Sequence, residues 1–287
     1  MADMIDHRPL GIIIPVFNRK EHIHVLLQAL LGQTYGDFRV VVVDHGTEKI
    51  EFSWIADERI EIINENPELW WTGAVNSGIN YVRANRQKEK HILILNDDIT
   101  IGPDYLQNVV SVIAEYDESV IGSISVDHGT GSIVNAGGLL VPCKARFWSP
   151  WKGKRPDQIQ ELFLDSDTLT GRGMVIPLSV IDKIGVFNEK RLPHYGADNE
   201  FAWRAKRHSI SVICAKQCVV STLPKDNTLY MFKKTSSFLF DIRKPGNVLV
   251  IYDFAFLCFG KVYATYYVTV NFLRIMMSYV KKAVLHG

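Results

Sequence analysis

No pair of cysteines is spaced to build a metal knuckle or a disulfide scaffold. The four (Cys143, Cys214, Cys218 and Cys258) are scattered, and the step from Cys214 to Cys218 has no second pair to close a zinc site. Reduced thiols in a cytosolic compartment are the expectation. Long apolar runs are missing as well. Leu10 to Phe17 is broken by Pro15 and is too short for a signal-peptide core, and no uninterrupted stretch of about 20 apolar residues is present to span a bilayer. Neither a P-loop nor a set of spaced glycines follows a strand, which argues against an ATPase and a dehydrogenase. Charge of one sign is not in excess: 32 Lys/Arg face 31 Asp/Glu, a net of +1, and no nucleic-acid partner is expected.

What is present is the composition of a folded protein, 47% hydrophobic and 22% charged. Apolar runs of strand length alternate with helix-patterned stretches. "GIIIPVFN", "FRVVVVD", "RIEIINE" and "HILILND" read as four strands, the third with the alternation of a more exposed position. Helical stripes separate them, one through Val25, Leu26, Ala29 and Leu30 and one over 73–86. That order predicts an α/β fold with a doubly wound, mostly parallel sheet, and such sheets bind ligands at the carboxyl ends of their strands. The segment 123–167 reads as irregular strands and loops. Helices return over 177–189 and 197–208, followed by a strand at "SVICA".

Three of these strands end in polar residues: the first at Asn18-Arg19, the second at Asp44, the fourth at Asn96-Asp97-Asp98. Adjacent carboxylates repel unless something positive lies beside them. A divalent cation with a substrate diphosphate meets that need, because Mg²⁺ and Mn²⁺ favour hard oxygen ligands; Asp98 capping a turn before Gly102-Pro103 is the purely structural alternative. In "PHYGADNEFAWRAKRH", Asp198 and Glu200 fall in a first helical turn, where carboxylates are stabilised by the helix dipole. The approach through Pro193, His194, Tyr195 and Gly196 has the character of a ligand-facing loop, and a carboxylate held there has a route to deprotonating a hydroxyl. In "NPELWWTGAVNSGI", Trp70 or Trp71 offers an aromatic face, and Gly73 and Asn76 mark a helix start where phosphate-bearing ligands dock.

In this order these motifs resemble the family 2 glycosyltransferases of the GT-A fold. "IIIPVFNRKEHI" is similar to the family's opening segment and "VVVVDHGT" to its Val-Asp-(Asp/Asn)-Gly-Ser segment. "NPELWWTGAVNSGI" followed by "LILNDD" is similar to its Asn-rich helix and metal motif, and "TGRGMVIPLSVIDKIGVFNE" with "HYGADNEFAWRAKRH" to its acceptor segment and catalytic motif. The resemblance covers roughly residues 9 to 223. It implies that Pro15, Phe17 and Asp44 line a base pocket, with Asp44 accepting from a uracil or thymine ring. Asn76 and Asn96 would position ribose and diphosphate, with Trp71, Gly73 and Asp97 near the donor. Asp98 would be the metal ligand, for Mn²⁺ or Mg²⁺, and Asp198 the general base. Arg172, His194, Tyr195 and Glu200 would face donor or acceptor. The chemistry implied is inverting transfer from a UDP- or dTDP-linked sugar to a hydroxyl of a glycan or lipid-linked glycan, in surface polysaccharide or lipopolysaccharide synthesis. Three departures stand out: Asn96 where the family often has Asp, Ala197 where it has Glu, and no His in "CVVSTLPKD", so that metal coordination would rest on Asp98, diphosphate and water, with His194 as an alternative ligand.

The chain divides into a catalytic domain, 1–224, and a helical extension, 225–287. The extension carries nine Lys/Arg and three Asp/Glu, against a net deficit elsewhere. Helical spacing puts Asn271, Arg274, Ser278 and Lys281 on one face and Val262, Tyr266, Leu273, Met276 and Val280 largely opposite. Tyr-rich amphipathic helices with a cationic face suit a membrane interface, so residues 247–285 are expected to contact the cytosolic face of the inner or plasma membrane peripherally. A helical pair packed on the domain or forming a homodimer seam is the alternative. Two other functions remain to be weighed: a sugar-nucleotide nucleotidyltransferase, whose glycine-rich signature "PVFNRKEH" lacks, and a non-catalytic glycan-binding or membrane scaffold that kept the fold.

Overall fold

A computed structural model describes residues 9–85, 88–223 and 247–286, without the side chains of 275 and 278–286. The first half alternates β1 (Leu10–Val16), α1 (Lys20–Leu31), β2 (Phe38–Asp44), β3 (Ile60–Asn64), α2 (Trp70–Ala84) and β4 (His91–Ile94). Then come β5 (Ile99–Ile101), α3 (Tyr105–Glu115), β6 (Val120–Asp127), β7 (Ile133–Asn135), β8 (Leu139–Val141), β9 (Arg146–Trp148) and β10 (Phe163–Asp165). The second half ends with β11 (Met174–Pro177), α4 (Leu178–Ile184), α5 (Ala197–Arg207) and β12 (Val212–Thr222), followed by α6 (Val248–Phe259) and α7 (Lys261–His286).

The main sheet runs β10-β12-β6-β11-β4-β1-β2-β3. Strands β3, β2, β1 and β4 are parallel neighbours, as are β6 and β12. Residues of β1 are buried throughout, which is what a near-continuous Ile/Val run requires when helices cover both faces. Pro15 is tolerated in this central strand because pairing with β4 ends at Ile13↔Ile94, two residues before it. The sheet separates two apolar cores. Ile23, Leu26, Leu27 and Leu30 of α1 join Leu106, Val109 and Val112 of α3 under one face. On the other face lie Val75 and Ile79 of α2, Ile181 of α4 and Phe201 of α5, with Phe254 of α6.

Several boundaries differ from the sequence reading. Helix α2 begins at Trp70, because Asn66 caps a 3-10 turn over Pro67–Leu69 that feeds directly into it. Gly73 is therefore a turn inside the helix. The helix expected over 177–189 stops at Ile184, where Gly185 takes a positive φ of 78°. "SVICA" continues as an eleven-residue strand to Thr222, with a bulge between Ala215 and Val219. Strand β11 runs antiparallel between β4 and β6, with Met174 opposite Ile94. The boundary expected at 224/225 lies outside the described residues.

Helices α6 and α7 pack on each other, and α6 packs on α5. The polar side of α7 turns inward: the side chains of Asn271 and Arg274 donate to the carbonyl of Ala145, and Arg274 also to that of Lys144. Those carbonyls end a short 3-10 turn over Pro142–Lys144 that no longer helix continues, so they need outside donors. This corrects the cationic face expected toward a membrane. Arg274 binds the 144–145 turn, and Val262, Tyr266, Leu273, Met276 and Met277 face outward; the side chains of Ser278, Val280 and Lys281 are outside the described set. No helix among the described residues is long and apolar enough to cross a membrane.

Candidate active site

The carboxyl ends of β1, β2 and β4 converge, and the register of β11 against β4 brings a fourth segment to them. Continuing Met174↔Ile94 outward sets Gly171-Arg172 across from the Asn96-Asp97-Asp98 turn. There the Arg172 guanidinium clasps both oxygens of Asp98, through Nε at 3.0 Å and a terminal nitrogen at 2.6 Å. Arg19, which caps α1 just after β1, binds Asp97 at 2.7 Å. The positive partners of the paired carboxylates are thus two arginines from other elements.

Asp97 is 6% exposed, and its burial pushes the carboxyl up to about 6, against the pull of Arg19 and with the neighbouring Asp98 adding to the rise. Asn96 accepts from the Trp71 indole at 3.0 Å. An indole N–H only donates, which assigns the amide oxygen to Trp71 and leaves the N–H₂ of Asn96 as a donor. Trp71 lies so close to Gly171 that a Cβ there would meet the ring at 2.4 Å.

Asp198 stands at the start of α5, after Gly196 in the left-handed conformation. Its carboxylate accepts from the backbone N–H of Gly171 at 3.1 Å and of Asn199 at 2.8 Å. Desolvation raises its pKa, opposed by those backbone donors and by Arg172. Arg172 therefore feels both Asp98 and Asp198. The Asp97–Asp98 pair and Asp198, about a hundred residues apart in sequence, form one charged group at the strand ends.

Other expected residues have different placements. Pro15 is buried within β1 and Phe17 is exposed beyond it. Asp44 is fully buried, with its oxygens holding the N–H groups of Gly46 and Ile50, so it organises the loop beyond β2. Asn76 is clamped to Phe187 through both N–H and C=O and donates to Glu189, which fastens α2 to the α4–α5 connection and takes its amide away from the strand ends. Gly73 is buried beside Leu69. Glu200 pairs with Arg204, which in turn holds the carbonyls of Ile184 and Val186; it braces α5 from behind. His194 meets Tyr195 edge to face and lies tilted against Trp70. Thr72 ties that loop to α2 through the carbonyls of Leu192 and Pro193.

Two site residues escaped the sequence reading. Arg19 was visible as a basic residue ending β1, but its partner is 78 positions away. His45 was hidden behind Asp44: it is 5% exposed, packs against Phe17 at 5.3 Å, and its Nδ1 has no hydrogen-bond partner. Burial lowers its pKa to about 4, with Asp44 working the other way, so the ring is neutral at physiological pH.

Among the described residues no three His, Cys, Asp or Glu side chains converge into a metal cage. The donor set fits a different kind of site. Asp98, with Asp97 adjacent, offers one or two hard carboxylates, the mode in which Mg²⁺ takes its remaining ligands from phosphate and water. An ion there competes with Arg172 for the Asp98 oxygens, and Asn96 has committed its own oxygen to Trp71.

Comparison with known proteins bears on family and fold. The model of the family described as glycosyl transferase family 2 matches residues 11–185. The low-salt glycan biosynthesis hexosyltransferase Agl10 of Haloferax volcanii is 25% identical over 234 residues, 77% of this chain and 69% of that protein. Glycosyltransferase GlyA of Streptococcus pneumoniae is 27% identical over 39% of this chain and 16% of its own length. Among solved structures, GalNAc-T7 with UDP, GalNAc and Mn²⁺ superposes with a TM-score of 0.61 at 10% identity, over 79% of this chain and 46% of that one. The likeness establishes the fold, the GT-A type; the chain spans less than half of that protein.

Proposed function

The chain belongs to glycosyl transferase family 2 and is a glycosyltransferase, and from that premise we propose that it transfers a sugar, with inversion, from a UDP- or dTDP-linked donor to a hydroxyl of a glycan or lipid-linked glycan. The pathway proposed is surface polysaccharide or lipopolysaccharide synthesis at the cytosolic membrane face. The observation that carries the reading is the convergence of Asp98 and Asp198 on Arg172, which holds the first in an ion pair and lies in the field of the second.

In this reading the base of the donor lies against Phe17 and the neutral His45, above the loop that Asp44 holds in shape. Asn96 donates toward the donor's ribose or phosphate oxygens, and Arg19 and Arg172 offset the diphosphate's charge. Mn²⁺ or Mg²⁺, held by Asp98 with Asp97 beside it, would stabilise charge developing on the leaving diphosphate. Asp198 removes the proton from the acceptor hydroxyl. Its desolvation makes it a stronger base than a surface carboxylate, and the N–H groups of Gly171 and Asn199 fix the direction in which it accepts. The acceptor approaches along the rim formed by His194 and Tyr195.

A thermal-shift panel of nucleotide sugars with Mn²⁺, followed by transfer assays on the donors that bind, tests this directly. A UDP- or dTDP-sugar raises the melting temperature, and chelation reduces the effect. Absence of any shift with every pyrimidine-nucleotide sugar would overturn the donor class.

A further inference from the structure

Between Lys144 and Arg155 the chain has five Lys or Arg and no Asp or Glu, interleaved with Phe147, Trp148 and Trp151. The β8–β9 hairpin holds the first part of this segment out as a separate two-stranded sheet. All of Arg146, Phe147 and Trp148 are exposed, the indole at 49%. Lys144, Lys152 and Lys154 are exposed too, and Lys154 lies 4.4 Å over the Trp151 ring. Exposed aromatics among cations have the chemistry of a membrane interface, where an amphipathic ring reaches the acyl boundary and a cation meets phosphate.

The turn between β8 and β9 is held by α7 through a second pair of contacts, at the edge of its outward arc. Tyr263 and Tyr266 donate their hydroxyls to the carbonyls of Pro142 and Cys143, just before Lys144. Tyr266 also belongs to the outward arc of α7, with Val262 at 87% and Met277 at 63% exposure and Leu273 between them. On the other side, Phe147 meets Phe254 of α6 at 5.3 Å. Phe254 in turn lies 3.5 Å from where a Cβ on Gly196 would stand, two residues before Asp198. Tyr266 therefore joins the basic aromatic hairpin to the apolar arc of α7, while the buried Phe254 packs between the hairpin and the loop that leads into α5.

We propose that the β8–β9 hairpin and the outward arc of α7 together form a docking surface for an anionic phospholipid bilayer. Lys144, Arg146, Lys152 and Lys154 meet the headgroups, and Trp148, Leu273 and Met277 enter the interface. This rests on the reading above that the enzyme works at a membrane, and it assigns to the catalytic domain a part in the contact. Charge selects the occupant. A second copy docked through the same face would set one cationic hairpin against another, whereas an anionic surface gains from every basic residue.

Co-sedimentation of the full chain with vesicles tests the assignment. The probes are phosphatidylcholine alone and phosphatidylcholine mixed with phosphatidylglycerol, over a salt series. The wild type binds the mixed vesicles, and binding weakens as salt rises. Reversing the charge of the hairpin and of the segment that follows it (Lys144→Glu, Arg146→Glu, Lys152→Glu and Lys154→Glu) lowers partitioning about tenfold or more, while UDP binding and melting temperature hold. Trp148→Ala lowers it less and serves if the charge-reversed protein does not fold. Wild-type binding with no loss in either variant overturns the hairpin's role and leaves the membrane reading standing. Failure of the wild type to bind either vesicle overturns both. A dimer that Leu273→Glu with Met277→Glu dissociates, without vesicle binding, makes the face a self-contact and likewise overturns the proposal.

Discussion

The parallel half of the sheet, β1 to β4, and the C-terminal helical pair deploy their polar residues in opposite senses. In β1, β2 and β4 the apolar residues are buried and the charges gather beyond the strand ends, where Arg19 and Arg172 meet Asp97 and Asp98. In α7 the polar side chains Asn271 and Arg274 point into the protein, and much of the outward face is apolar. The first arrangement suits a small, highly charged ligand in a crevice. The second leaves a broad surface whose natural neighbour is apolar. The lesson is that amphipathicity in a sequence gives the two faces of a helix but not which one faces outward: unsatisfied backbone carbonyls at 144–145 decide that here.

The comparison yields four experiments, from the largest expected effect to the smallest. Asp198→Asn removes the base while keeping its shape; sugar transfer falls by about 10³-fold with donor affinity, measured by calorimetry, within a factor of two. The acid limb of the kcat/KM profile of the wild type lies above the ordinary carboxylate range, because burial favours the protonated form and the base works only once ionised. Full activity in the variant would sink the assignment of the crevice as catalytic.

Gly171→Ala comes next. Its methyl group meets Trp71 at 2.4 Å and pushes the indole off Asn96. A loss of about 2 kcal/mol in denaturant unfolding is expected, together with weaker donor binding; an unchanged protein would mean that the Trp71–Asn96 contact does not position the turn. Third, Asn271→Ala with Arg274→Ala leaves the Ala145 and Lys144 carbonyls without their donors. Stability falls by about 1–3 kcal/mol, while transfer to a soluble acceptor continues, which separates the helical pair from the chemistry. Loss of transfer with no loss of stability would erase the contrast between the two regions.

The smallest effect is the pH dependence of Asp97. Its folded-state pKa, about 6, is above the unfolded value of 3.8, so the native state holds the proton more tightly and stability declines as pH rises from about 4 through about 6. Asp97→Asn removes that decline, leaving the variant about 3 °C more heat-stable than the wild type at pH 7.5 and equal to it near pH 4. A variant less stable at both values would show that the Arg19 pair outweighs the cost of burial.

Much of the fold was legible because burial on both faces writes itself into composition. Runs such as "GIIIPVF" and "FRVVVVD" admit few alternatives to central strands, and the helix over 197–208 carries both its acidic first turn and its basic last turn. The candidate site was legible where a strand ends in charge, as at Asp97 and Asp98, and where a helix begins with it, as at Asp198. It was illegible where a residue's partner is remote. Asn76 and Glu200 have the residue types of a binding site, yet a backbone clamp at Phe187 and an ion pair with Arg204 employ them in packing. His45 gave no local signal, since its environment comes from Phe17 and burial.

The sequence by itself determined the alternation of strands and helices, the chemical character of the strand ends and the family to which those motifs belong, because these depend on neighbours within a few residues. Only the tertiary structure decided which charges meet. Strand β11, unmarked in the sequence, runs backward beside β4 and delivers Arg172 to Asp98 and Gly171 to Asp198. Register between distant strands sets that meeting, and it follows from packing across the whole sheet, which no local pattern encodes.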